Sequence, residues 1–166
     1  GGTPGVLVLG SATSIVLGEG ASPSSITAPV ALSVVLNFTG TYASNLTINA
    51  PLASSIVLNM SKVNGNLSVV GGTSTVFNAP FLSNIQGNAS ITSASIGLAA
   101  LTVVNGTISV SGDPDLDLSG QLASGVFHNS GGSHNSGGSH NSGGSHDSGS
   151  SHDSGNNGGS TGQTGN

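Results

Sequence analysis

In 166 residues the chain carries one Lys, no Arg, six acidic residues and no Cys. That composition excludes phosphate-backbone binding by counterion release, a disulfide framework and a thiolate metal centre. With 4% of residues charged and a net charge of -5, solubility must come from amides, hydroxyls or sugars, and no strong field exists to steer a charged partner.

The chain opens at Gly1 without a Met or a charged segment ahead of an apolar stretch, and no run reaches the ~18 apolar residues of a membrane helix. The expectation is a processed form or a fragment with no transmembrane segment. From Leu7 onward, short alternating stretches recur. One series is Leu7-Val8-Leu9, Ile26-Thr27-Ala28, Leu46-Thr47-Ile48, Leu67-Ser68-Val69, Ala89-Ser90-Ile91 and Ile108-Ser109-Val110. A second, interleaved with it, is Ile15-Val16-Leu17, Val34-Val35-Leu36, Ile56-Val57-Leu58, Thr75-Val76-Phe77, Ile96-Gly97-Leu98 and Leu116-Asp117-Leu118. Both series repeat every ~20 residues, the sequence sign of a stacked-repeat architecture.

A repeat this short cannot bury its own apolar face, so coils must stack, each giving one strand per sheet to a shared interior. The predicted fold is all-β, a β-solenoid of the parallel β-helix kind. Side chains alternate across a strand. Leu46, Ile48, Leu67, Val69, Ala89, Ile91, Ile108 and Val110 therefore point inward. Gly65, Gly87 and Gly106 precede three of these strands and predict corners that need a bend or a positive φ; Val63, Ile85 and Val104, two residues earlier, pack those corners. No stretch sustains the i, i+3, i+4, i+7 spacing of an amphipathic helix.

The stretches "NMSKVNGNLSV", "FLSNIQGNASI" and "ALTVVNGTISV" share one pattern, and the second is preceded by Asn78-Ala79-Pro80. This pattern resembles the receptor L-domain type of leucine-rich-like repeat found in fungal cell-wall proteins held by glycosylphosphatidylinositol anchors. The resemblance covers residues 44–119, and the first 43 only weakly; the chain departs from it in having few charges and no flanking cysteines. It implies a right-handed solenoid outside the cell, glycosylated, acting in wall organisation, with cell-wall polysaccharide or neighbouring solenoid chains as partners and a lipid anchor beyond a stalk. No hydrophobic tail follows, so Asn166 is either the residue left by anchor cleavage or the end of a truncated chain.

Six N-x-S/T sequons begin at Asn37, Asn45, Asn59, Asn66, Asn88 and Asn105. Asn45, Asn66 and Asn88 fall at outward positions on successive coils, where full occupancy would crowd glycans ~4.8 Å apart; the alternative is an Asn ladder bonded along the stack. The outward column Thr47, Ser68, Ser90 and Ser109, headed by Thr27, reads as solvated surface or as a polar face for ice or polysaccharide. The outward residues Val16, Val35, Val57 and Val76 form an apolar column that is either covered by loops or open as an assembly face. Asp113, Asp115 and Asp117 imitate the start of a calcium loop, but Leu118 and Ser124 stand where the loop needs Gly and Glu. That segment reads instead as a polar cap on the final coil.

Composition changes after Phe127. From His128 to Asn166 the chain repeats Ser, Gly, Asn and His with no side chain able to seed a core, so residues 128–166 read as a disordered, flexible tail behind a solenoid domain of residues 1–127. His128, His134, His140, His146 and His152 recur every six residues, but a Gly/Ser tether would have to be ordered to gather them on a metal, and they read as part of a solvated spacer. No cofactor is expected. The acids of the domain are few and its histidines lie in the tail, so the expected function is non-enzymatic: a structural glycoprotein of a cell wall or surface coat. The alternatives are a subunit of a self-assembling extracellular filament and an ice- or polysaccharide-binding module.

Overall fold

The computed structural model describes residues 5–130. They form an all-β solenoid of about six turns with coils of ~21 residues. The first coil holds β1 (Val6–Val8) and β2 (Ser14–Leu17). The second holds β3 (Ser25–Thr27), β4 (Ser33–Asn37) and β5 (Thr41–Tyr42), and the third β6 (Leu46–Asn49), β7 (Ser55–Asn59) and β8 (Lys62–Val63). The fourth holds β9 (Leu67–Val70), β10 (Val76–Asn78) and β11 (Asn84–Ile85); β12 (Ala89–Thr92), β13 (Ser95–Gly97), β14 (Val103–Ser111) and β15 (Ser124–Asn129) complete the chain of strands.

All pairing is parallel and each strand meets its counterpart one coil away. The first sheet runs β1, β3, β6, β9, β12, β14, β15 and the second runs β2, β4, β7, β10, β13. A narrow third row, β5, β8, β11 and β14, joins the first sheet because β14 continues through the corner that is bent in earlier coils.

The inward columns coincide with the alternation in the sequence. Leu46 aligns with Leu67, Ala89 and Ile108, and Ile48 with Val69, Ile91 and Val110. All eight are buried. Opposite them, Ile15, Val34, Ile56, Phe77 and Ile96 form one column of the second sheet. Each such aliphatic or aromatic chain contributes about 1.5–3 kcal/mol when removed from water, and stacking apolar on apolar gives every coil a share of one continuous interior. Val63, Ile85 and Val104 fill the third corner, also fully buried.

Tight turns connect the sheets. Ala28-Pro29-Val30-Ala31, Ala50-Pro51-Leu52-Ala53 and Ala79-Pro80-Phe81-Leu82 each close with a backbone N–H donating to the carbonyl three residues back, at 3.2, 3.1 and 3.3 Å. Proline at the second position presets the required φ. The third position is thrown outward, which leaves Leu52 and Phe81 62% and 64% exposed.

Four expectations change. Leu116-Asp117-Leu118 is not a strand; residues 112–123 form a cap across the second sheet, in which Asp113 accepts the N–H of Ile96 at 2.7 Å and Gln121 donates to the carbonyls of Leu98 and Leu101, each at 2.6 Å. Val76 aligns with Ser55, two residues from Val57, because Thr75 is drawn into the preceding turn and Phe77 takes the first inward place. Thr27 aligns with Asn49, and Ser25 aligns with Thr47. The solenoid also runs past Phe127: His128 and Asn129 pair with Ser109 and Val110, and Asn129 is buried with its amide donating to the carbonyls of Asp113 and Leu116. The remainder of the expected tail lies outside the described residues.

Candidate functional site

The sequon asparagines divide into two structural kinds. Asn45, Asn66 and Asn88 stand just before strands of the first sheet, all exposed. Their side-chain oxygens accept the backbone N–H groups of Asn66, Asn88 and Thr107 on the next coil, at 2.8, 2.8 and 2.9 Å. Each oxygen sits over a glycine of that coil. A Cβ at residue 65, 87 or 106 would lie 2.3, 2.3 or 2.2 Å from it. Of the expected bend or positive φ, the bend is present at Gly65 and Gly87, while positive φ occurs at Gly20, Gly112 and Gly125. The glycines are required by close approach of the asparagine below, and Asn and Gly are therefore partners across coils. Asn78 and Gly97 repeat the contact on the second sheet, with a Cβ at residue 97 falling 2.7 Å from the amide oxygen.

Asn37, Asn59 and Asn105 make lateral amide bonds. Asn59 donates to Asn37 at 2.7 Å, and Asn105 donates to Gln86 at 2.9 Å. Asn37 and Asn105 are exposed, and Asn59 is half-buried.

The polar column of the first sheet is Ser25, Thr47, Ser68, Ser90 and Ser109, in register. Beside it runs a mixed column of Thr27, Asn49, Val70, Thr92 and Ser111. On the second sheet, Val16, Val35 and Val57 are in register and the column continues as Asn78 and Gly97, while Val76 belongs to a neighbouring serine column. Val16 is 63% and Val76 49% exposed, so among the described residues no loop covers these two positions. Val35 and Val57 are half-buried by their neighbours.

A groove that no local sequence pattern announces lies at the corner that follows the second sheet. It encloses about 350 Å³ and is lined by Asn37, Phe38, Thr39, Asn59, Met60, Ser61 and Phe81. Two complete sequons make most of its wall. Beside the groove, Glu19 accepts the N–H of Thr39 at 3.1 Å and also its hydroxyl. These two bonds hold the Glu19 carboxyl below its ordinary value.

The acids of the cap act locally. Asp113 accepts N–H groups of Ile96 and Asp115, and Asp117 accepts the N–H and hydroxyl of Ser119. Among the described residues no three His, Cys, Asp or Glu side chains converge as a metal site. Of the five tail histidines only His128 lies among the described residues, in β15.

Comparison of the chain with protein-family models, with curated proteins and with solved structures gave no match.

Proposed function

We propose that this chain is a non-enzymatic structural glycoprotein of a cell wall or surface coat, the solenoid serving as a rigid rod. The observation that carries the reading is the placement of the sequons: all six asparagines lie outside the apolar interior, five of them exposed, on a body with almost no charge. A rod whose surface is amide, hydroxyl and aliphatic gains its solvation from attached sugar, and the resemblance of its repeats to those of fungal wall proteins points the same way. The C-terminal lipid anchor and the wall polysaccharide partner belong to this proposal. Secretion from a eukaryotic host, with intact mass measured before and after enzymatic glycan release, tests it. A mass equal to that of the bare chain in both samples refutes it.

A second reading, a self-assembling filament subunit, is favoured by the first coil, where Val6 and Val8 project outward from the first sheet and are 69% and 65% exposed, an apolar pair that buries readily against another chain. Light scattering behind size-exclusion chromatography separates the two readings, since a strictly monomeric product removes the filament.

A further inference from the structure

We infer that the corner groove seats the first N-acetylglucosamine of a glycan carried on Asn37. The inference rests on the glycoprotein reading and deepens it, by naming the occupied sequon and the surface its sugar packs against.

At about 350 Å³ the groove is at the small end of ligand pockets and fits a single sugar unit better than a polymer. Its chemistry matches an N-acetylated pyranose, which has an apolar C–H face, an acetyl methyl and a rim of hydroxyls. Phe81 supplies the open apolar surface, the buried Phe38 and Met60 lie beneath the floor, and Asn37, Thr39, Asn59 and Ser61 supply the polar rim. Phe81 is the only exposed phenylalanine among the described residues, 64% accessible at the tip of a Pro-fixed turn. An aromatic held open over two sequons gains by covering its face with an apolar group.

Accessibility selects Asn37 over Asn59. Attachment forms a bond from the amide nitrogen to C1 of the sugar and breaks the C1–O bond of a glycosyl pyrophosphate donor supplied by the host. The nitrogen loses one proton, and the pyrophosphate leaves with the electron pair. On Asn37 this leaves the amide oxygen free to keep accepting the Asn59 side chain at 2.7 Å. On Asn59 the sugar would share the nitrogen that makes that bond, which keeps a single proton to donate. Asn37 is exposed and Asn59 half-buried, and with coils ~4.8 Å apart the two positions cannot both carry a core sugar.

The test uses the full chain secreted from a glycosylating host, with occupancy mapped by peptide mass spectrometry after release in heavy-oxygen water. The expected result is Asn37 filled and Asn59 empty. With the glycan trimmed to one sugar, the melting temperature should exceed that of the same chain made in bacteria by about 2–4 °C. That gain should vanish in Asn37→Gln and Phe81→Ser, each compared with its own bacterial product so that any cost of the substitution cancels. Nuclear Overhauser contacts between the acetyl methyl and the Phe81 ring are expected in the trimmed wild type. Glycan on other sequons with Asn37 empty, or a gain unchanged in Phe81→Ser, overturns the inference and leaves the glycoprotein reading standing. Glycan on no sequon overturns both.

Discussion

The side-chain oxygen of Asn66 accepts the backbone N–H of Asn88 across 2.8 Å and lies 2.3 Å from where a Cβ on residue 87 would stand. Glycine at 87 is thus dictated by a residue on the coil below and not by its own backbone angles. The same relation links Asn45 to Gly65 and Asn88 to Gly106. The recurring Gly-Asn dipeptide is one coil's socket followed by the next coil's plug.

Replacing Gly87 with Ala should therefore destabilise the fold by about 2 kcal/mol, through loss of the Asn66 bond and strain around its backbone donor, the Asn88 N–H. Gly40, around which a Cβ would meet nothing within 4 Å, should tolerate Ala within about 0.5 kcal/mol. In the Asn66→Ala background the cost of Gly87→Ala should shrink, since the clashing oxygen is gone. Denaturant midpoints measure all three, and equal costs at Gly87 and Gly40 would dismiss the socket.

Thr75 offers a second test. Its hydroxyl is fully buried, accepts the N–H of Gly72 at 2.6 Å and donates to the carbonyl of Ala53 at 2.5 Å. One coil on, Ser93 donates to the Thr75 carbonyl at 2.8 Å. Thr75→Val keeps the volume and strands two buried backbone groups, so a loss of about 1–3 kcal/mol is expected. Thr73, exposed two residues away, should accept Val at almost no cost in the same melting experiment.

The repeat period and the inward columns were legible because apolar alternation is a local signal repeated six times: Leu46, Leu67, Ala89 and Ile108 each sit between polar neighbours. Register was less legible. Thr75-Val76-Phe77 and Ser25-Ile26-Thr27 both alternate correctly in either of two alignments two residues apart, and only the turn geometry decides which neighbour each meets. Val76 beside Ser55, and Ser25 beside Thr47, are the outcomes. The Asn–Gly contact was half visible, since the dipeptide repeats but its two members serve different coils. The groove was not visible at all, because Asn37, Asn59 and Phe81 are far apart along the chain and meet only when coils stack. Coil lengths of 19 to 22 residues decide that meeting, and a count of residues does not.

Acid should expose the Glu19 contact. Its carboxyl is lowered from the ordinary 4.5 first by the Thr39 hydroxyl and then by the Thr39 N–H. A group depressed in the folded state adds stability above its unfolded value and loses it as pH falls through the folded one. The difference in melting temperature between wild type and Glu19→Gln should therefore be constant above pH 4.5 and shrink below it. Because the carboxyl is exposed, added salt should also reduce the difference. A difference that does not change with pH would remove the carboxylate from the contact.

Alkali should act through Tyr42, the one tyrosine of the chain. Its ring is 2% exposed and meets Phe38 edge-on at 5.2 Å, and its hydroxyl donates to the Pro23 carbonyl of the preceding coil. Burial pushes its pKa from 10.0 up to about 12, because the phenolate would lose its hydration. The unfolded chain then gives up its proton first, so stability is complete below pH 10.0 and declines as pH rises toward about 12. Tyr42→Phe removes the titrating group and, at neutral pH, leaves the Pro23 carbonyl without that donor, at a cost of about 1 kcal/mol. The variant should start less stable and fall less steeply, so that the two stability curves converge in alkali. With a single tyrosine, tyrosinate absorbance follows the ionisation directly. Ionisation near pH 10.0 in the folded protein, or parallel curves for the two chains, would mean that the hydroxyl is open to water and that the corner it closes is looser than the packing of Phe38, Tyr42 and Pro23 requires.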